Sequence, residues 1–279
     1  MKKLLAFLLC FVMCLSLAGC GNNSKKYLDH RHSDLYPGDV CDKCNSICQK
    51  NWKLLDGIGN YVIMSTGEGL LIEFYDNLSL NYIHINEDFD SRWVKYVYIA
   101  PEVTEIPSEA FWASSLQYVV LSDGLKIIGD SAFCSCEELK EITLPESVIK
   151  IGNSAFYNTP IKSIKLGSNL LEIGPGAFAD TNISSISVPD SVEAIGKKAF
   201  ADSKLKKIYI GKGVRYIGAK AFSGCHKKLK VTFEETENWF VKNEYHAAIN
   251  IDKSAILRKK DAGELFLSKY CAYDWYRNI

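Results

Sequence analysis

Between residues 94 and 233 the apolar positions fall into columns that recur once per coil-length of chain. The dipeptide Ala-Phe returns at Ala110-Phe111, Ala132-Phe133, Ala155-Phe156, Ala177-Phe178, Ala199-Phe200 and Ala221-Phe222, in steps of 22 or 23 residues. Four residues before each Ala stands an Ile: Ile106, Ile128, Ile151, Ile173, Ile195 and Ile217. Gly follows each of these except the first, where Pro107 follows. A further column runs through Val94, Leu116, Leu139, Ile161, Ile183, Leu205 and Leu229. After each of these, two apolar residues alternate with polar ones, as in Val97 and Ile99, Ile186 and Val188, or Ile208 and Ile210. Alternation over such short runs is the period of a half-buried strand.

A repeat of this length predicts a solenoid, because one coil cannot bury its own apolar edge whereas stacked coils share a continuous core. Strands of successive coils are predicted to pair in parallel about 4.8 Å apart. The Ala is expected to stay small where the coil is tight, the Phe to fill the interior as a spine, and the Gly to permit a turn. The alternation points the other strand residues outward: Tyr96 and Tyr98, Tyr118 and Val120, Glu141 and Thr143, Ser163 and Lys165, Ser185 and Ser187, Lys207 and Tyr209, Lys230 and Thr232. Aromatics gather on the first coils, lysines on the last, where Lys162 and Lys206 add to them.

The stretch Ile128-Gly129-Asp130-Ser131-Ala132-Phe133, continued by Cys136, Leu139, Ile142, Leu144-Pro145 and Ser147-Val148, resembles the repeat unit of the BspA-like leucine-rich-repeat family. The resemblance covers residues 94–233. It implies a leucine-rich-repeat solenoid, mostly β, with stacked short parallel strands on one side and a convex side of loops and turns. It also implies adhesion, since relatives are linked to attachment to host matrix proteins or to other bacteria.

A solenoid needs its end coils covered. Residues 51–93 read as a small β-rich N-terminal cap, with strands at Tyr61–Met64 and Leu70–Phe74 around Gly67-Glu68-Gly69, and a turn at Asp56-Gly57. Residues 234–279 read as an α/β C-terminal cap, with Trp239-Phe240, an amphipathic segment from Lys260 to Tyr270, and apolar cover from Tyr273, Trp275 and Tyr276.

The N-terminus carries a different pattern. Lys2 and Lys3 precede an uncharged, largely apolar run from Leu4 to Leu17, too short for a comfortable membrane span of about 20 residues but the length of a signal-peptide core. Leu17-Ala18-Gly19-Cys20 looks like the lipobox of bacterial lipoproteins. Residues 1–20 are thus expected to be a lipoprotein signal peptide, with Cys20 as the lipid attachment, membrane contact made through the lipid, and the mature chain at the bacterial cell surface. Residues 21–50 read as a polar, Cys-containing tether.

The chain has 33 basic and 33 acidic residues and no formal net charge. No bulk field favours nucleic acid, and no nucleic-acid partner is expected. Of ten cysteines, Cys41, Cys44, Cys48, Cys134, Cys136, Cys225 and Cys271 lie beyond residue 20, an odd number outside the cytoplasm. Cys41, Cys44 and Cys48 form a local cluster open to a disulfide, to zinc with His30 or His32 as a further ligand, to redox chemistry, or to free thiols. Cys136 and Cys225 share a column with Ser114, Thr159, Thr181 and Ser203, which favours packing; Cys134, two residues from Cys136, is read as exposable.

No nucleophile elbow, phosphate loop, His-Glu-x-x-His or dinucleotide motif is present, and the five His are scattered. The chain is read as a non-enzyme without cofactor or resident metal. It is expected to be a surface-anchored protein-binding module, an adhesin or interaction scaffold. Its partner would be a host matrix protein or another bacterial surface protein, met at Tyr96, Tyr98, Tyr118, Lys165, Lys207, Tyr209 and Lys230. Two alternatives are a structural or envelope-assembly lipoprotein with no host ligand, and a metal or redox protein working through Cys41, Cys44 and Cys48.

Overall fold

The structure, a computed structural model, describes residues 94–242, 248–251, 256 and 259–278, together with the strands at 53–57, 61–65 and 70–74. The expected signal peptide and tether, with Cys20, Cys41, Cys44 and Cys48, lie outside the described residues.

Each repeat forms one coil, and two ribbons of strands tie the coils together. The first ribbon begins with β1 (Lys53–Gly57), β2 (Tyr61–Ser65), β3 (Leu70–Phe74) and β4 (Val94–Ile99). β1, β2 and β3 pair antiparallel, β3 then runs parallel to β4, and β4 runs parallel to β6 (Tyr118–Leu121). The N-terminal strands thus extend the repeat sheet itself. Asp56-Gly57, expected to turn, instead lies inside β1 beside a register irregularity, where the partners Ile63 and Val62 keep the chain extended.

The first ribbon resumes as a parallel three-stranded sheet of β10 (Ser185–Val188), β12 (Lys207–Ile210) and β14 (Lys230–Phe233). At 141–144 and 163–166, between these two sheets, the strand ladder is interrupted. The alternation persists there all the same, with Ile142, Leu144, Ile164 and Leu166 buried and Glu141, Thr143, Ser163 and Lys165 exposed.

The second ribbon is unbroken across the repeats. It consists of two-residue strands: β5 (Glu105–Ile106), β7 (Ile127–Ile128), β8 (Lys150–Ile151), β9 (Glu172–Ile173), β11 (Ala194–Ile195) and β13 (Tyr216–Ile217). All pair in parallel, and the Ile before each Gly or Pro is their buried residue. The side expected to carry loops and turns therefore carries a strand ladder of its own beside the turns.

The Gly column has a different cause from the one anticipated. The Gly after each Ile is not in the left-handed region. A β-carbon on Gly152 would lie 2.7 Å from backbone atoms of Gly129 and Asp130, and one on Gly174 2.6 Å from Gly152. Close approach of successive coils excludes the side chain. Left-handed backbone occurs instead just before the Ala and two residues after the Phe, as at Ser131 and Ser135 or Lys198 and Asp202. Each such residue costs about 1–2 kcal/mol. The geometry turns alternate N–H groups toward the next coil, so that Ser131, Phe133 and Ser135 donate to the carbonyls of Asn153, Ala155 and Tyr157 at 2.7–2.8 Å.

Inside, the six repeat Phe rings stack in one column, with centroids 5.3–5.8 Å apart and planes within 16° of parallel. Ala132, Ala155, Ala177 and Ala199 are fully buried beside them. The small-residue column is a second interior ladder. Thr159, Thr181 and Ser203 hydroxyls donate to the carbonyls of Phe156, Phe178 and Phe200, and the Cys136 and Cys225 thiols donate to those of Phe111 and Phe200. These side chains add a donor to buried carbonyls of the turn, those of Phe111 and Phe200 also accepting the Ser114 and Ser203 backbone N–H groups.

The C-terminal segment closes the core. β15 (Trp239–Lys242), β16 (Ala248–Asn250) and β17 (Asp274–Arg277) pair antiparallel, and β17 adds to β13 at the end of the second ribbon. The short helix α1 (Lys259–Glu264) and a π-helical turn, Leu265–Lys269, cross the end of the core. Phe266 meets the edge of Phe222 at 4.9 Å and stacks on Trp275 at 3.9 Å, so the spine ends on aromatic cover. Replacing Phe178, at the centre of the spine, by Ala is expected to cost about 3–5 kcal/mol. Leu171→Ser on the exposed surface should cost less than about 0.5 kcal/mol. Urea denaturation of the two variants measures the difference.

Candidate binding face

The outward residues of the first ribbon are positioned by strands whose inward residues are locked in the core. On the first coils this face is covered. Tyr96 and Tyr98 point away from the core residues Val97 and Ile99, yet are only 9% and 2% exposed. They were expected to be accessible contact residues, and their burial corrects that. Alternation sets the direction of a side chain and says nothing about what covers it, and β4 has a paired strand on both sides.

Tyr118 is the first residue of the face to emerge, at 50% exposure. Its ring lies 5.5 Å from that of Tyr96 and within 3° of parallel. The buried ring therefore fixes the exposed one. A contact side chain already held in one orientation loses less entropy on binding.

Beyond Tyr118 the face becomes polar. Gln117 donates to Glu138 on the next coil at 2.5 Å. Lys165 pairs with Glu146 at 2.9 Å. The Glu146 carboxylate also accepts from the backbone N–H of Ser168 at 2.6 Å and from its hydroxyl at 3.0 Å. The Ser168 N–H first, then Lys165, hold this carboxyl down at about 2. In β12 and β14, Lys207 lies beside Lys230 and Tyr209 beside Thr232, with Ser185 and Ser187 of β10 on the other side. The Tyr209 hydroxyl donates to Glu234, and this bond pushes the phenol up to about 12. Lys165, Lys207 and Lys230 are exposed and Tyr209 is half-buried. The structure thus brings Lys207, Tyr209 and Lys230 together, while Tyr118 and Lys165 stand on separate coils.

Two exposed aromatics were not singled out from the sequence. Trp112 is 57% and Tyr157 41% exposed, each directly after a repeat Phe. The same column elsewhere holds Cys134, Ala179, Ala201 and Ser223, so two large rings among small residues were the legible signal.

Cys134, read as exposable, is buried; it follows Phe133 in the tight turn between those two aromatic coils. Cys136 and Cys225 are buried as the packing reading required, and burial pushes their thiols up to about 12 and about 11. Neither is a reactive nucleophile. Among the described residues no group of three His, Cys, Asp or Glu side chains is placed to hold a metal ion.

Coils stacked through two parallel ribbons around an aliphatic and phenylalanine core define a leucine-rich-repeat solenoid. Residues 104–230, somewhat under half of the chain, match in six copies the family model described as BspA type leucine rich repeat region. Among solved structures, the chain is similar to a leucine rich cell surface protein from Faecalibacterium prausnitzii, at 24% identity and a TM-score of 0.51. That match covers 69% of this chain and 59% of the other, so the chain spans less than two thirds of that relative. It is also similar to a leucine-rich repeat protein from Eubacterium ventriosum, at 19% identity and a TM-score of 0.42, covering 69% of this chain and 46% of that one. No curated protein matches the chain.

The Glu146 site gives a signed pH dependence. A carboxyl held below its ordinary value of about 4.3 contributes stability above that value. This contribution is lost as pH falls toward 2. The native protein should therefore exceed Glu146→Gln in urea stability near pH 6, and the gap should close between about pH 4.5 and pH 2. Urea midpoints across that range test it.

Proposed function

We propose that this protein is a cell-surface binding module, an adhesin or interaction scaffold, that recognises a protein through the outward side of its first strand ribbon. The observation that carries this reading is Tyr118, a half-exposed ring held parallel to the buried Tyr96 on a rigid stack. Tyr presents a large amphipathic contact area at low entropic cost, and a ring held by its neighbour has less freedom to lose on binding. The interior of each coil is taken up by stacking residues, which leaves the outward positions free to vary with the partner. Lys165, Lys207, Tyr209 and Lys230 are the polar contacts of the same face. Tyr96, on the preceding coil, supports the Tyr118 ring from the side.

The proposed partner is a host matrix protein or another bacterial surface protein. Residues 21–50 are proposed to tether the solenoid, and residues 51–93 and 234–279 to cap it. A lipid on Cys20 is proposed to hold it at the membrane. Cys20→Ser should then shift the protein from the membrane fraction to the medium. An unchanged distribution would remove the lipid anchor from the scheme.

A capture assay against immobilised matrix proteins, mucins and envelope fractions tests the binding face. Tyr118→Ala is expected to lower saturable capture of a matrix or surface protein at least about tenfold, the loss of a central aromatic contact. The thermal midpoint should stay within about 2 °C, because an exposed side chain contributes little to the core. Capture unaffected by Tyr118→Ala would remove the face assignment. Capture by envelope fractions alone would favour a structural lipoprotein.

A further inference from the structure

The chain is neutral as a whole, yet its charges separate on the last coils. Lys204, Lys206 and Lys207 lie on one coil, and Lys227, Lys228 and Lys230 on the next. All six are exposed. The two coils are in direct register: Lys207 is the partner of Lys230, and the Lys230 N–H donates to the Lys206 carbonyl at 2.9 Å. None of the six forms an ion pair with a described residue, whereas Lys150, Lys165 and Lys212 are paired with Glu172, Glu146 and Asp190. The preceding coil, joined through the Lys204 N–H to the Thr181 carbonyl and the Lys206 N–H to the Ser184 carbonyl, presents exposed Asn182, Ser184 and Ser185 there, with one carboxylate, Asp180, at the turn before them. Carboxylates of this face lie at the far ends of the strands, at Glu234 beside Tyr209 and at Asp190 beside Lys212. Asp202, nearest in sequence, sits against Gly224 in the turn. The result is a basic edge running along the stacking direction, whose six lysines form no ion pair among the described residues.

We propose that this edge binds a linear sulfated glycan, laid across the coils at the start of β12 and β14. The inference rests on the reading of the protein as a surface binding module, and adds a ligand class at the lysine end of that face, several coils from Tyr118 and sharing Lys207 and Lys230 with it. Lysines on flexible stems are poor anchors for a folded protein, since ordering each costs about 2 kcal/mol of side-chain entropy and lysine is depleted from interface cores. The edge also holds no arginine for bidentate recognition. A polymer with regularly repeated anions removes that difficulty, because many registers place an anion near each ammonium and every contact releases counterions. Single-stranded nucleic acid asks for exposed rings on which bases stack. The nearest ring, Tyr209, is half-buried with its hydroxyl engaged by Glu234. Sulfate esters stay ionised at any physiological pH and need only point charges and hydroxyl or amide donors, which is what the two lysine coils and their Ser and Asn neighbour supply.

The test uses purified full-length protein and a size-defined heparin oligosaccharide as the probe. Binding is measured by titration at several salt concentrations. The variant Lys227→Gln/Lys228→Gln/Lys230→Gln is expected to weaken binding on the order of tenfold or more, and to flatten the slope of log affinity against log salt by about one per lysine. The charge-matched variant Lys126→Gln/Lys197→Gln/Lys220→Gln, with its substitutions away from this edge, should bind as the native protein does. Equal loss in both triple variants would overturn the site, as would undiminished binding of fully desulfated heparin. Tighter binding of a phosphodiester wall polymer, an acidic polypeptide or single-stranded DNA would overturn the ligand class. Tyr118→Ala should leave heparin binding intact. Heparin binding without any protein capture would thus sink the protein-partner reading alone, and the converse would sink only this one.

Discussion

The distance between one coil and the next governs this structure. Two ribbons of parallel backbone pairs hold that distance near the spacing of a sheet, about 4.8 Å. Every other column must accept it. The Phe rings meet it by lying parallel with centroids at 5.3–5.8 Å, slightly slipped, which is the offset geometry aromatic pairs favour. The Gly column meets it by having no β-carbon, which would lie under 3 Å from the backbone of the preceding coil. The turns around Ala-Phe meet it through left-handed residues that aim alternate N–H groups along the stack. The unfavourable backbone conformation at two sites per coil is offset by hydrogen bonds that each coil could not make alone.

The ends of the stack solve the same problem by different routes. At the N-terminal end β3 continues the first ribbon in parallel, so the entering chain behaves as one more coil on that side. At the C-terminal end β17 continues the second ribbon antiparallel, and Asp274 accepts from the Ala219 N–H and the Tyr216 hydroxyl of the last coil. The Cys271 carbonyl takes the Lys220 N–H that an additional coil would have taken. Aromatic residues then cover the last Phe of the spine.

This division of labour shapes the candidate functional surfaces. Interior columns are fixed by the coil spacing, so chemistry is confined to outward positions, and buried thiols such as Cys136 and Cys225 serve as hydrogen-bond donors to the core carbonyls. Outward positions carry different character along the stack: an aromatic at Tyr118, a carboxylate network around Glu146, and, on the last coils, lysines without an ion pair among the described residues. One rigid scaffold can in this way present distinct contacts several coils apart without any of them disturbing the core.

The sequence by itself determined the solenoid, its coil length and its interior. Each buried column is repeated six or more times, and a signal repeated at constant step identifies the shared core even where single residues are ambiguous. Strand direction was legible for the same reason, and the buried Ile142 and Ile164 obey it even where the ladder is interrupted. Only the tertiary structure decided which outward residues meet solvent. Tyr96 and Tyr118 occupy equivalent positions in the repeat, but one is buried and the other half-exposed: β4 is paired on both sides, whereas β6 ends its sheet. The role of the Gly column was likewise decided between coils, since a clash with the preceding coil's backbone leaves no mark on a glycine's own neighbours in sequence. Trp112 and Tyr157 became visible as surface for a related reason: a lone large residue in a column of small, mostly buried ones reads as an exception until the fold shows its ring reaching solvent.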